Sequence, residues 1–146
     1  MKSNGKHKMG RITVDIEIAN NRDVENAQGG FLAPEKIRRK TIQALVDSGA
    51  TRLVLPASVA KELGLPLKKS KTEVRYADGR KGLRSEVSAV YLRLQGRDGV
   101  YTAIVEPKRE TVLLGAIVLE DMDFLVDCAK LRLVPRDPDH IVSEIE

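Results

Sequence analysis

The sequence predicts a mainly β domain, closed or sandwich-like, with two short helices. Three observations carry that prediction. The apolar content is Val, Leu, Ile and Ala with no Trp and 3% aromatic residues, a set that packs well on pleated surfaces. The stretch Arg11 to Ala19, "RITVDIEIA", alternates strictly between apolar and polar residues. Two Asp-Gly pairs, Asp78-Gly79 and Asp98-Gly99, stand between extended segments where tight hairpin turns are favoured.

Taken in order, Ile12, Val14, Ile16 and Ile18 form one face of the first strand, with Thr13, Asp15 and Glu17 on the other. Residues 20–35, with "NNRD" and "QGG" before Pro34, read as a long polar loop. A second strand runs from about Ile37 to Val46 and ends on Asp47. After the small residues Ser48, Gly49 and Ala50 comes a short strand, "RLVL". Pro56 then opens a short helix in which Val59, Ala60 and Leu63 share a face and Gly64 is the stop.

Residues 72–87 read as a hairpin turning at Asp78-Gly79, and residues 88–105 as another turning at Arg97-Asp98-Gly99. "TVLLG" is a strand, "AIVLEDM" a short helix, and "FLVDCAKLRLVP" two brief strands around a turn at Cys128 to Lys130, with Cys128 half-buried at a strand end. The two halves echo each other: "ALVDSGA" and "TVLLGAI" each lead from a strand through a small-residue turn.

At 146 residues the chain suits one domain, read as 11–135, between a flexible basic tail (1–10) and an acidic tail (136–146). The charge is modest, 25 Lys and Arg against 21 Asp and Glu. Basic clusters lie at Lys2, Lys6 and Lys8, at 36–40 and at Lys68-Lys69, but no interleaved aromatics accompany them, so no nucleic-acid partner is expected. A single cysteine excludes an intrachain disulfide, and with no metal-ligand spacing of His, Cys or carboxylates, no metal is expected. No apolar run reaches signal-peptide or membrane-spanning length, so a cytoplasmic setting without membrane contact is expected.

Asp47 is the residue that needs a chemical explanation, because an isolated carboxylate at the end of an apolar strand is costly to desolvate. Turn N–H groups and a hydroxyl can offset part of that cost, and Gly49 leaves room for another chain to come close. Serine and cysteine nucleophiles are poor alternatives. No Gly-x-Ser-x-Gly elbow is present, and the two histidines, His7 and His140, fall in the tails.

Four ordered elements, "LVDSGA", "LVLP", "YADGR" and "LLGA", together resemble the retropepsin-like aspartic proteases, particularly the small non-viral members of that clan. The resemblance spans roughly Ile12 to Pro135. It implies a closed β-barrel of the acid protease fold with one half-site per chain. It also implies a homodimer in which Asp47 of each subunit shares a proton, activates a water without any cofactor, and hydrolyses a peptide bond in an extended polypeptide. By the same resemblance Ser48 braces the two loops across the axis, and Gly49 and Ala50 line the cleft. Leu113, Leu114 and Gly115 support the loop, while Tyr76, Ala77, Asp78, Gly79 and Arg80 form a flap over the substrate. Ser48 stands where viral members commonly have Thr, which keeps the hydroxyl. The alternative from another class is a dimeric binding or regulatory module on the same fold with little or no proteolysis.

Overall fold

Strict alternation does build the first strand: in the computed structural model, which describes residues 11–146, β1 (Ile12–Asn20) buries Ile12, Ile16 and Ile18 and turns Thr13 and Asp15 to solvent. It pairs antiparallel with β2 (Arg39–Val46), from Ile12 opposite Val46 to Ala19 opposite Arg39. The remaining strands are β3 (Leu53–Pro56), β4 (Leu67–Arg75), β5 (Lys81–Leu94), β6 (Arg97–Glu106) and β7 (Val112–Leu114). Their order is β1-β2-β7-β3-β6-β5-β4, and a second pairing of β1 with β5 closes six of them into a barrel, leaving β4 outside on β5. A separate two-stranded ribbon, β8 (Phe124–Asp127) with β9 (Arg132–Pro135), completes the chain.

Closure pairs the two ends of the six-strand sheet that would otherwise be free edges, and leaves β4 paired on one side only. Inside it, Ile16, Ile18, Leu53, Leu55, Leu92, Leu94 and Leu114 are fully buried, as aliphatic composition without large rings allows. Each such side chain contributes about 1.5–3 kcal/mol on burial. β5 bends at Ala89, which has φ of 57° at a break in register between Val87 and Val90, so one strand serves both barrel and hairpin.

Residues 20–35 differ from the expected loop. A helix, α1 (Asn21–Gln28), forms there although it has no apolar stripe. Side chains that cap and anchor it are the reason. Asn20 Oδ1 accepts the N–H groups of Arg22 and Asp23 at 2.9 and 3.2 Å, while its Nδ2 donates to the Leu63 carbonyl at 2.9 Å. The buried Asp23 carboxylate receives the Arg38 guanidinium at 2.8 and 3.0 Å and the Arg38 N–H at 3.0 Å. The two expected helices are α2 (Ala57–Glu62) and α3 (Ala116–Asp121).

Two further readings change. The second hairpin turns at Gln95-Gly96, with φ of 49° and 81°, and not at Arg97-Asp98-Gly99. Leu94 pairs with Arg97, which fits a two-residue turn with positive φ at both positions, and Arg97 is needed in the strand to reach the Met122 and Asp123 carbonyls. Cys128 is exposed, because the β8–β9 turn holds it outside the ribbon. Segment 136–146 has no regular element but folds back: Arg136 meets Asp123 at 2.7 Å and the Val142 N–H meets the same carboxylate at 3.0 Å. Residues 1–10, the expected basic tail, lie outside the described residues.

What positions the Asp47 loop is a parallel pair. β2 and β7 run side by side, Ala44 opposite Val112 through Val46 opposite Leu114, so both chains leave the barrel at the same rim. The Asp47 N–H donates to the Leu114 carbonyl at 3.0 Å. In return the first two N–H groups of α3, from Ala116 and Ile117, donate to the carbonyls of Ala50 and Thr51 at 2.8 and 3.0 Å, which satisfies donors that a helix start leaves free. Gly115 makes this approach possible. A Cβ there would stand 2.8 Å from the Ala50 carbonyl oxygen and closer still to that of Arg52.

Arg52, at the end of the loop, is tied to the buried Glu86 on β5 at 2.7 Å; Thr72 donates its hydroxyl to the same carboxylate and Lys68 lies at 3.6 Å. The Thr72 hydrogen bond, with the Arg52 and Lys68 charges behind it, holds Glu86 below the usual carboxylate range against the opposing effect of burial.

Gly115→Ala is expected to destabilise the chain by about 1–3 kcal/mol in urea unfolding, because backbone on two sides must move; an unchanged midpoint would show that the crossing is loose. A carboxylate with a depressed folded pKa stabilises above its unfolded value and loses that contribution as pH falls through the folded one. The melting temperature should therefore fall as pH drops below about 4, and Glu86→Gln should lower it at neutral pH while flattening the acid side of the profile.

Candidate active site

Along β2 the side chains of Gln43, Leu45 and Asp47 share the outer face, while Ala44 and Val46 turn to the core. Asp47 thus stands at the rim of the barrel and not inside it, half-exposed. The desolvation cost that the sequence raised is met by placement as much as by hydrogen bonding. Its Oδ1 accepts the Gly49 N–H at 3.0 Å and its carbonyl accepts the Ala50 N–H at 3.1 Å, a side-chain turn that fixes the carboxylate. Its Oδ2 has no protein partner among the described residues.

Ser48 and Gly49 are exposed at the tip of this loop and Ala50 is half-buried beneath it. A Cβ on Gly49 would stand 3.2 Å from Asp47 Oδ1, so the glycine keeps that oxygen uncrowded. Leu113, Leu114 and Gly115 lie directly against the loop, Leu113 pairing with Leu45 and Leu114 with Val46. Asp47, Ser48, Gly49, Ala50 and Gly115 therefore meet at one place.

The β4–β5 hairpin carries Tyr76, Ala77, Asp78, Gly79 and Arg80 at its tip. The turn is at Asp78-Gly79 as expected, but it is a three-residue loop closed between Tyr76 and Arg80 and not a primed turn: only Gly79 has positive φ, 90°, and its N–H donates to the Tyr76 carbonyl at 2.9 Å. Ala77, Asp78 and Gly79 are exposed, with Asp78 taken up by Arg80 at 2.8 Å. Tyr76 is half-buried: its hydroxyl donates to Glu106 at 2.5 Å, and the Arg80 guanidinium lies over its ring, 4.7 Å from the centroid. Arg84 holds the other Glu106 oxygen at 2.5 Å.

Glu106 and Arg84 are the residues that sequence reasoning missed. The available signal was Glu106, a carboxylate closing the apolar run "AIV". Burial pushes Glu106 up, yet the Tyr76 hydroxyl and Arg84 outweigh it and keep it below the usual range. The same hydrogen bond raises the Tyr76 phenol.

Two grooves flank the rim, one along Gln43 and Leu45 and one between Arg52, Lys68 and Tyr101. Asp47 lines neither of them and is half-exposed at the rim. No cluster of three His, Cys, Asp or Glu suited to a metal occurs among the described residues, and no helix there is long and apolar enough to cross a membrane.

Residues 33–121 match the family described as gag-polyprotein putative aspartyl protease. That span contains the Asp47 loop, the β4–β5 hairpin and Gly115. No curated protein matches the chain. With the closed six-strand barrel, the crossing loops and a match over more than half its length, the chain belongs to the retropepsin-like aspartyl proteases.

Proposed function

We propose that the chain is an aspartic endopeptidase that works as a homodimer, with the two Asp47 carboxylates meeting on the twofold axis. The observation that carries this reading is the half-made site: a single Asp47, fixed through one oxygen by Gly49, with no partner for the other among the described residues, and lining neither of the two grooves beside it. A second copy supplies the missing carboxylate by an isologous contact that needs no further sequence.

Two carboxylates in contact do not both ionise readily, so they titrate as a pair holding one proton. The ionised member takes a proton from a water as that water attacks the scissile carbonyl. The protonated member donates to the carbonyl oxygen, giving a neutral tetrahedral diol. Collapse of that diol breaks the C–N bond, with one proton passing to the leaving amine and the pair returned to its starting state. Ser48, exposed beside the axis, braces the paired loops.

The Tyr76–Arg80 tip acts as the flap. A flap must be both mobile at its tip and fixed at its base. Exposed Ala77 to Gly79 supply the first property, and the Tyr76–Glu106–Arg84 contacts supply the second. An extended peptide pairs with the flap and the strand edges beside it.

Cleavage of a peptide library should fall by about 10²–10⁴-fold in Asp47→Asn, and wild-type activity per chain should rise with protein concentration as dimer forms. Cleavage that survives the substitution contradicts the reading. A stable dimer that cleaves nothing from acidic to neutral pH leaves the binding or regulatory module instead. Tyr76→Phe, which frees the flap base from Glu106, should raise KM several-fold with little change in melting temperature, since one hydrogen bond contributes about 1 kcal/mol; an unchanged KM would separate Tyr76 from flap placement.

A further inference from the structure

The outer face of β2 that ends in Asp47 continues backwards as a groove. Leu45 pairs with Thr13 on β1 and with Leu113 on β7, so these neighbours face the same way. Gln43, Leu45 and Thr13 floor the groove, with Arg11, Lys108 and Arg109 among its walls. Arg11 is the residue before Ile12, which pairs with Val46, and so stands across from Asp47 itself.

The charge of this groove is one-sided. Three cations line it against one lining carboxylate, Glu110; Asp47 stands across from Arg11 at its end, and Asp15 lies beyond the floor, opposite Gln43. None of the three is in an ion pair among the described residues. Arg109 donates Nε to the Thr111 carbonyl at 2.9 Å, which fixes its plane and leaves the two terminal amino groups for a carboxylate. The nearest carboxylate on β6, Glu106, is hydrogen-bonded by Tyr76 and Arg84 and feels the Arg109 charge only at longer range, without an ion pair. The other groove offers a contrast: its Arg52 and Lys68 are both turned to the buried Glu86, which offsets one of their two charges.

We propose that this groove receives carboxylate side chains of the substrate, so that the substrates are acidic polypeptides with Asp or Glu close to the cleaved bond. The inference rests on the protease reading of Asp47. Peptide is favoured over nucleic acid because no aromatic ring lines the groove to stack a base, and because its floor runs straight into the Asp47 position.

The test uses the full chain and fluorescent peptides with a common apolar centre and flanking positions of Glu, Gln or Lys, with binding read by anisotropy and cleavage read separately. Wild type and Asp47→Asn should both bind the Glu peptides about tenfold more tightly than the Gln peptides at low salt. That gap should close near 1 M salt, where screening acts within about 3 Å. Lys108→Glu with Arg109→Glu should turn the preference toward the Lys peptides. Lys108→Gln with Arg109→Gln should simply abolish it, should the reversed pair fail to fold. Equal binding of Glu and Gln peptides by wild type overturns the inference, as does an oligonucleotide that displaces the Glu peptides and binds more tightly than they do. Preferential binding of Glu peptides without cleavage supports the groove and counts against the protease reading.

Discussion

The close passage of Gly115 beneath the carbonyls of Ala50 and Arg52 is the constraint on which the rest of the molecule depends. It lets two parallel strands end at one rim, exchanges three backbone hydrogen bonds between their loops, and holds Asp47 at a fixed height on the barrel edge. A side chain at position 115 would push the loops apart and carry the carboxylate with them. The core below serves this geometry: Leu114 and Ala44 are fully packed, so the rim cannot sink or tilt without opening the barrel.

Much of this was legible in the sequence for physical reasons. Alternation in β1, the Asp-Gly turn of the β4–β5 hairpin and the ordered set around Asp47 each depend on local chemistry, and local chemistry is what a sequence displays. The helix at Asn21–Gln28 was hidden because it is held by distant partners, Arg38 on the next segment and the Leu63 and Gly64 carbonyls, and not by a stripe of its own. The shifted turn at Gln95-Gly96 was hidden for a similar reason, since Asp98-Gly99 has the better turn composition and loses to the register that Arg97 requires. At the site, Asp47, Gly49 and Gly115 were readable as a motif. Glu106 and Arg84 were not, because they come from separate strands and meet only at Tyr76.

The polar contacts divide the surface by function. Glu86 pairs with Arg52 and Lys68 beside the loop, Glu106 with Arg84 at the base of the β4–β5 hairpin tip, and Asp123 with Arg136 near the end of the chain. These pairs hold elements in place. Arg11, Lys108 and Arg109 are in no ion pair among the described residues and wall the groove whose floor leads to Asp47. Under the proposed function, positive charge outside such pairs beside Asp47 would favour the approach of acidic chains.

Whether the site is shared between chains is the question beneath all others, and a subunit-mixing titration addresses it most directly. Wild type is held at fixed concentration while Asp47→Asn is added in increasing excess and allowed to exchange. A shared site predicts that cleavage falls toward zero as each active chain is drawn into a mixed pair with one carboxylate. A rate that stays constant at every excess would place a complete site within one chain and contradict the account.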